Sequence, residues 1–307
     1  MKQAQPSRSK SEETPAYTVA IVGLGLLGGS LALALRRLRT PKVHIMGCAR
    51  REESVADALR QELIDSGSTD PEDVLPHAAL TVVCLPVTTI IDFIQKHAKL
   101  WGNGSIVTDV GSVKSKIVAA ATPILQPHGV SFVGSHPMAG SERTGMAHAK
   151  ADLYDNAVVF VTPQRDDNLQ AVDNVERFWE LTGARTRRID PVRHDALVAR
   201  TSHLPHVLAA AMVRVVLKDD KALLGTAGAF RDVSRIAASS PEMWRQIFEL
   251  NQDEVLQAVD EYVAELNDLR TLLAQGQWRN LELYLSTARN ERQEWFSMWQ
   301  HSREAVK

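Results

Sequence analysis

Residues 19–35 read VAIVGLGLLGGSLALAL. Four apolar residues, Val19–Val22, run straight into Gly23, Gly25 and Gly28, and a Leu/Ala-rich stretch follows at once. A buried strand, a glycine turn and a helix in immediate succession are the signature of a dinucleotide-binding βα unit. Each glycine has its own duty. The first permits a tight turn, the second lets a pyrophosphate approach the backbone, and the third lets the helix pack closely on the strand. The helix N-terminus turns its unpaired N–H groups toward the phosphates. Leu26 and Leu27, at the start of the helix, therefore join the three glycines as predicted cofactor-binding residues.

About 20 positions further on, where the second strand ends, the residue facing the ribose decides which dinucleotide fits. The chain reads Gly47-Cys48-Ala49-Arg50-Arg51-Glu52 there. An acid would accept from a ribose 2′-hydroxyl, whereas two guanidinium groups suit a 2′-phosphate held bidentately. The expected cofactor is NADP, with NAD possible, and Ala49, Arg50 and Arg51 belong to its site. In the alternative, the arginines are merely solvated and Glu52 serves the ribose. Leu85 and Pro86 close the next strand and join the expected cofactor set.

Outward from the turn, short β-branched runs alternate with longer helical patterns, the order that builds a parallel sheet covered by helices. Strands are predicted at Thr18–Val22, Val43–Cys48, Leu80–Leu85, Ser105–Val110, Val130–Gly134, Ala157–Thr162 and Arg185–Ile189, and helices at Leu27–Arg37, Glu53–Glu62 and Leu169–Leu181. From Pro191 strand signals all but vanish. The predicted fold class is α/β: a Rossmann-like, doubly wound, mostly parallel sheet followed by an all-helical C-terminal domain. The expected division is a disordered tail over 1–16, a dinucleotide-binding domain over 17–190 and a helical substrate and dimerisation domain over 191–307. Val255, Val259, Tyr262, Val263, Leu266, Leu269, Leu272 and Leu273 recur at helical spacing, giving an apolar stripe that packs either into the core or against a second subunit.

The 307-residue length suits two domains, and a 44% hydrophobic share is that of an ordinary globular protein. A formal net charge of −2 offers no broad basic surface, which argues against nucleic acid and anionic membrane as partners. Residues 1–16 lack the apolar segment of a secretory signal, and no apolar run reaches the roughly 20 residues needed to span a bilayer. Cys48 and Cys84 have no metal-ligand spacing and cannot make a disulfide framework, so no metal is expected and a cytoplasmic location fits.

The chemistry is expected in two segments, TDVGSVKSK at 108–116 and GSHPMAGSERTG at 134–145, each past the carboxyl end of a predicted strand. Open α/β sheets bind ligands at those ends. His136 is expected in a loop, shaped by Gly134 and Pro137, where an imidazole titrating near neutrality can take a proton from a hydroxyl as hydride leaves the same carbon. Ser112 is expected to bond that hydroxyl or the imidazole. Lys114, in the same segment, stays outside the catalytic set. Glu142 beside Arg143 is either a surface pair or, six residues after His136, a pocket residue.

GSVKSK, SHPMAGSE, SHLPH (202–206) and FRDVSRIA…PEMW (230–244) together resemble the prephenate and arogenate dehydrogenases, in the right order and from the first strand to about Phe248. What the resemblance implies is as follows. His136 takes the proton of the ring hydroxyl while hydride passes to the nicotinamide; the ring carboxylate leaves as carbon dioxide and the ring becomes aromatic. Ser112 assists His136 and lies by the nicotinamide, within the cofactor site. Arg235 anchors a substrate carboxylate, and His203, His206, Glu142, Asp232 and Trp244 line the pocket, with Trp244 lent by a partner subunit. The substrate is a small molecule, prephenate or arogenate, and the helical domain makes a homodimer.

The residues agree with these roles. A dicarboxylate needs a cation in bidentate geometry, which Arg235, or failing it Arg231, supplies. Pro205 is expected to kink a helix beside His203 and His206. Two other readings compete. A β-hydroxyacid dehydrogenase would place a catalytic lysine in the helical domain, where Lys218 and Lys221 are the candidates. A non-catalytic module would bind the dinucleotide only to sense it.

Overall fold

The computed structural model describes residues 17–140, 143–219 and 221–304. The expectation of a disordered tail over 1–16 lies outside these residues. The described residues form two compact units, one within 1–111 and 117–186 and the other within 112–116 and 187–307.

The first unit is built on a six-stranded parallel sheet in the order β3-β2-β1-β4-β5-β6. Its strands are β1 (Tyr17–Val22), β2 (Val43–Cys48), β3 (Ser66–Ser68), β4 (Leu80–Val83), β5 (Ile106–Asp109) and β6 (Ser131–Phe132). The crossovers carry α1 (Leu26–Arg36), α2 (Glu52–Arg60), α3 (Val87–His97) and α4 (Ser115–Leu125). The central strands β1 and β4 end in runs of buried residues, as strands covered on both faces should. The order reverses beside β1, which sets the carboxyl ends of β1 and β4 at the switch point.

Three expectations need correction here. Val130–Gly134 is not one strand: after β6 the chain leaves the parallel sheet and forms β7 (Gly134–Pro137) in a separate three-stranded sheet, β7-β8-β9. The runs read as further parallel strands are its other members, β8 (Val158–Thr162) and β9 (Arg185–Arg188). β7 pairs antiparallel with β8, matching His136 with Phe160. Alternating apolar residues specify a strand but not the sheet it joins. Consequently His136 lies in a strand rather than a loop.

The second unit is helical: α6 (Pro191–Val198), α7 (Leu204–Val216), α8 (Gly228–Ser234), α9 (Pro241–Leu250), α10 (Gln252–Ala274) and α11 (Trp278–Glu304). α5 (Leu169–Leu181) belongs to the first unit. α6 starts where Asp190 accepts from the backbone N–H groups of Val192 and Arg193, with Pro191 in the first turn, where a missing N–H costs nothing. Pro205 lies inside one continuous helical run from Pro191 to Val216. It occupies the first turn of α7, and the irregularity lies just upstream as a π-helical turn over Ala199–His203. Such turns insert an extra residue and reset which side chains share a face.

The apolar stripe of α10 divides. Val255 and Ala258 are buried against Ala199 with Val259 packed nearby, whereas Val263, Leu266 and Leu273 are 47%, 46% and 50% exposed. α11 exposes Trp278, Leu283, Leu285, Trp295 and Trp299 as well. No described helix is long and apolar enough to cross a membrane.

Candidate functional site

The glycine turn shows why each position excludes a side chain. Gly23 has φ +97°, and a Cβ there would come within 2.4 Å of the Cys84 carbonyl oxygen. Gly28 packs so closely that a Cβ would lie 2.0 Å from the Gly23 carbonyl oxygen. A Cβ on Gly25 would meet nothing within 4 Å. Protein packing demands the outer two glycines, and the open space at the middle one suits a ligand's close approach. Gly25 caps α1 with no side-chain hydrogen bond, and the first turn holds no acid. The N–H groups of that turn and the positive end of the helix are thus available to a pyrophosphate. These residues fit a dinucleotide.

Leu85 and Pro86 follow β4 beside this turn, Leu85 half-buried and close to Gly23. Arg50 and Arg51 are exposed after β2, and their guanidinium groups make no hydrogen bond or ion pair among the described residues. Burial pushes the Cys48 thiol up to about 11 and raises that of Cys84 further, so both remain neutral thiols.

His136 is buried at 8% exposure. Its neighbour Ser135 ties β7 to the end of β5. Ser135 donates its hydroxyl to the Asp109 carbonyl oxygen at 2.6 Å and its backbone N–H to the Asp109 carboxylate at 3.1 Å. The same carboxylate accepts from the Gly111 N–H at 2.8 Å. Ser135 Oγ also accepts from Trp179 Nε1 at 2.9 Å and lies 2.8 Å from Thr108 Oγ1. Asp109, Ser135, Thr108 and Trp179 are all buried, so the strand bearing His136 is held by a network in a low-dielectric interior. Ser141 and Glu142 lie outside the described residues.

In the second unit the residues cluster around His203, which is 1% exposed. Its ring meets Trp244 and Phe248 edge-on at 5.8 and 6.4 Å. His206 stacks on Trp244 at 3.6 Å between ring centroids. Trp244 thus joins these histidines within its own chain, and its place among them needs no partner subunit. Among the described residues, the buried Trp244 Nε1 atom has no hydrogen-bond partner. Burial lowers the His203 imidazole to about 4, with the neighbouring His194 and His206 pushing the same way and Asp195 opposing them. His206 is lowered too, first by burial and then by the charge of Arg235, against a backbone hydrogen bond to Ile236. Arg235 is exposed. Asp232 is exposed as well and pairs with Arg231 at 2.9 Å.

Ser112 is half-buried in the segment 112–116. The Asp195 carboxylate holds that segment, accepting from the backbone N–H groups of Lys114 at 2.7 Å and Ser115 at 2.9 Å. It also lies 2.8 Å from His194 Nδ1. Burial works to raise the Asp195 carboxyl, but these three contacts outweigh it and hold the group below its ordinary value. Asn251 Nδ2 reaches the Asp195 carbonyl oxygen at 3.0 Å and His203 Nδ1 at 3.2 Å. Lys114 is fully buried.

Sequence reasoning missed Asp109, Ser135, Asp195 and Asn251. They bond across 26 to 81 residues of chain and carry no local pattern. The lysines of the competing reading, Lys218 and Lys221, are exposed beyond the end of α7.

A family model described as "Prephenate dehydrogenase, nucleotide-binding domain" matches residues 31–188, and one described as "Prephenate dehydrogenase, dimerization domain" matches residues 190–287. A prephenate dehydrogenase of Bacillus subtilis is 35% identical over 281 residues, covering 90% of this chain and 75% of that protein. The crystal structure of an Aquifex aeolicus prephenate dehydrogenase in complex with hydroxyphenyl propionate and NAD+ superposes with a TM-score of 0.85 at 33% identity, covering 92% of this chain and 99% of the other. A Synechocystis arogenate dehydrogenase superposes with a TM-score of 0.80 at 29% identity, covering 91% and 99%.

Proposed function

The chain belongs to the prephenate dehydrogenase family, and from that premise we propose how its residues divide the work. It is an NAD(P)-dependent dehydrogenase that oxidatively decarboxylates prephenate or arogenate in tyrosine biosynthesis. The observation that carries the reading is the match of both family models across residues 31–188 and 190–287. The β-hydroxyacid dehydrogenase alternative is not favoured.

His136 acts as general base on the ring hydroxyl. Its support is burial on a strand fixed through Ser135 to Asp109, since a base held rigidly within reach of its proton acts most effectively. When bound, the nicotinamide takes the hydride that leaves the same carbon. Loss of the ring carboxylate as carbon dioxide then makes the ring aromatic. Ser112 assists at the hydroxyl, and Arg235 binds a side-chain carboxylate. His203, His206 and Trp244 form the apolar-walled part of the substrate pocket, to which Glu142 and Asp232 contribute charge. Burial keeps both histidines neutral at physiological pH, so they serve as hydrogen-bonding groups and leave charge neutralisation to the guanidinium.

The cofactor is held by Gly23, Gly25 and Gly28 with the backbone of Leu26 and Leu27, flanked by Ala49, Leu85, Pro86 and Ser112. We favour NADP over NAD because Arg50 and Arg51 stand exposed and unpaired among the described residues, where an acid would otherwise contact the ribose. Residues 17–190 act as the cofactor domain and 191–307 as the substrate and dimerisation domain. The exposed apolar residues of α10 and α11 fit a homodimer. The working location is the cytoplasm.

The test is a cross of prephenate and arogenate against NADP and NAD. Cofactor reduction should match carbon dioxide release mole for mole and run faster with NADP. Reduction without carbon dioxide release would refute the reaction, and faster turnover with NAD would refute the cofactor choice alone.

A further inference from the structure

The bond between Asn251 and His203 has a chemical content beyond packing. Both side chains are buried, at 5% and 1% exposure. The Asn251 δ-nitrogen lies 3.0 Å from the Asp195 carbonyl oxygen and 3.2 Å from His203 Nδ1. A backbone carbonyl only accepts, so the atom facing it must be the amide NH2 and not the amide oxygen. One N–H of that group serves Asp195, and the other points at His203. An amide nitrogen does not accept hydrogen bonds, so His203 Nδ1 must be the acceptor and carry no proton. In a neutral imidazole the proton is then on Nε2, and a cationic ring would set an N–H against an N–H.

We infer that Asn251 is a positioning residue that fixes His203 as the neutral tautomer protonated on Nε2, giving the pocket an uncharged N–H donor. The inference rests on the reading of His203 as a pocket group. The surroundings agree. Trp244 and Phe248 wall the ring with aromatic edges, and of the charged or titratable groups around it, Asp195 favours the cation while His194 and His206 disfavour it. Asp195 spends its carboxylate on His194 Nδ1 and on the Lys114 and Ser115 N–H groups, presenting only its backbone oxygen to Asn251. The acid that would otherwise charge His203 is thus occupied. A neutral donor suits a carboxylate or carbonyl oxygen and disfavours an ammonium group, and its state does not change across the physiological range. Asn251 thereby acts on substrate selection without touching substrate.

The test uses whole protein labelled with 15N-histidine, with His203 assigned through His203→Gln. Long-range 15N–1H correlation separates a bare ring nitrogen from a protonated one. Nδ1 should be bare and Nε2 protonated, unchanged between about pH 5.5 and 8.5. A proton on Nδ1, or a titration near the ordinary histidine value, overturns the inference. Asn251→Asp places an acceptor at the same point. It should move the proton to Nδ1, add an ionisation near neutrality to the pH profile of kcat/KM, and lower kcat/KM about tenfold, mainly through KM. An unchanged tautomer and profile in that variant also overturn it. If Asn251→Asp does not fold, the wild-type spectrum decides. Absence of turnover with every substrate would sink the proposed reaction, while the tautomer would still report on Asn251.

Discussion

Trp179 Nε1 donates to Ser135 Oγ at 2.9 Å, linking the buried face of α5 to the residue that precedes His136. Trp179 is fully buried and also packs against Tyr154 and Phe178, at ring separations of 5.4 and 5.5 Å. One indole therefore fills the core and completes the hydrogen bonding of the strand that carries the proposed base. Trp179→Phe keeps most of the apolar contact and removes the donor. We expect a loss of about 1–3 kcal/mol in stability by denaturant titration, together with a loss of kcat smaller than removal of the imidazole causes. Unchanged stability would show that the bond contributes nothing net.

His136→Asn keeps a polar side chain of similar reach but no group able to take the proton at neutral pH. Turnover should fall at least about 100-fold, the lower end for lost general base catalysis, with cofactor affinity by fluorescence titration almost unchanged. Near-normal turnover would remove His136 from the role.

Arg50→Ala and Arg51→Ala test the cofactor assignment. If either guanidinium holds a 2′-phosphate, its loss should raise the KM for NADP about tenfold, the worth of one charge-assisted hydrogen bond, and leave the KM for NAD alone. A parallel rise with both cofactors would mean that the arginines act on something other than the phosphate.

The His203 imidazole, held at about 4 by burial, stands below its ordinary value of 6.5. Between these two values the unfolded chain binds the proton more readily than the folded one, so stability should rise with pH across the window. This contribution is whole above about pH 6.5 and is lost as pH falls toward 4, by up to about 3 kcal/mol at roughly 1.36 kcal/mol per tenfold change in proton affinity. His203→Gln should flatten the slope, as read from urea titrations at about pH 4.5 and 7. The lowered Asp195 carboxyl acts below its ordinary 3.8 and so falls outside this window.

Val263→Lys and Leu266→Glu add charge to the exposed part of the α10 stripe without entering the core. If that face meets a second copy, sedimentation should show the pair of substitutions shifting the protein toward monomer with helix content retained. An unaltered sedimentation profile would place the contact elsewhere.

The parts of this molecule legible in the sequence are those written in consecutive residues. Val19–Val22 and the glycines after it announce the strand, the turn and the helix, and the β-branched runs at 43–48 and 80–83 supply parallel neighbours. Where identity alone cannot choose among partners, sequence reading fails. Nothing at Gly134–Pro137 says that β7 leaves the parallel sheet to pair with β8, and that choice turned an expected loop histidine into a buried one. Pro205 suggested a disturbed helix, and the disturbance takes the form of a π-helical turn just upstream, a form no single residue announces. Asp195 and Asn251 carry no local pattern in the sequence, since their significance lies in contacts 81 and 56 residues apart.

The unequal surroundings of the three turn glycines bear on how this family diverges. Gly23 and Gly28 are enforced by the collisions a methyl group would make with neighbouring backbone, so a descendant that had abandoned its cofactor would still be obliged to retain them. Gly25 is under no such obligation, because a methyl group there meets only open space. Drift should therefore reach the middle position first once the ligand no longer matters. Within a fingerprint of three, one residue keeps the record of use and the other two keep the record of architecture.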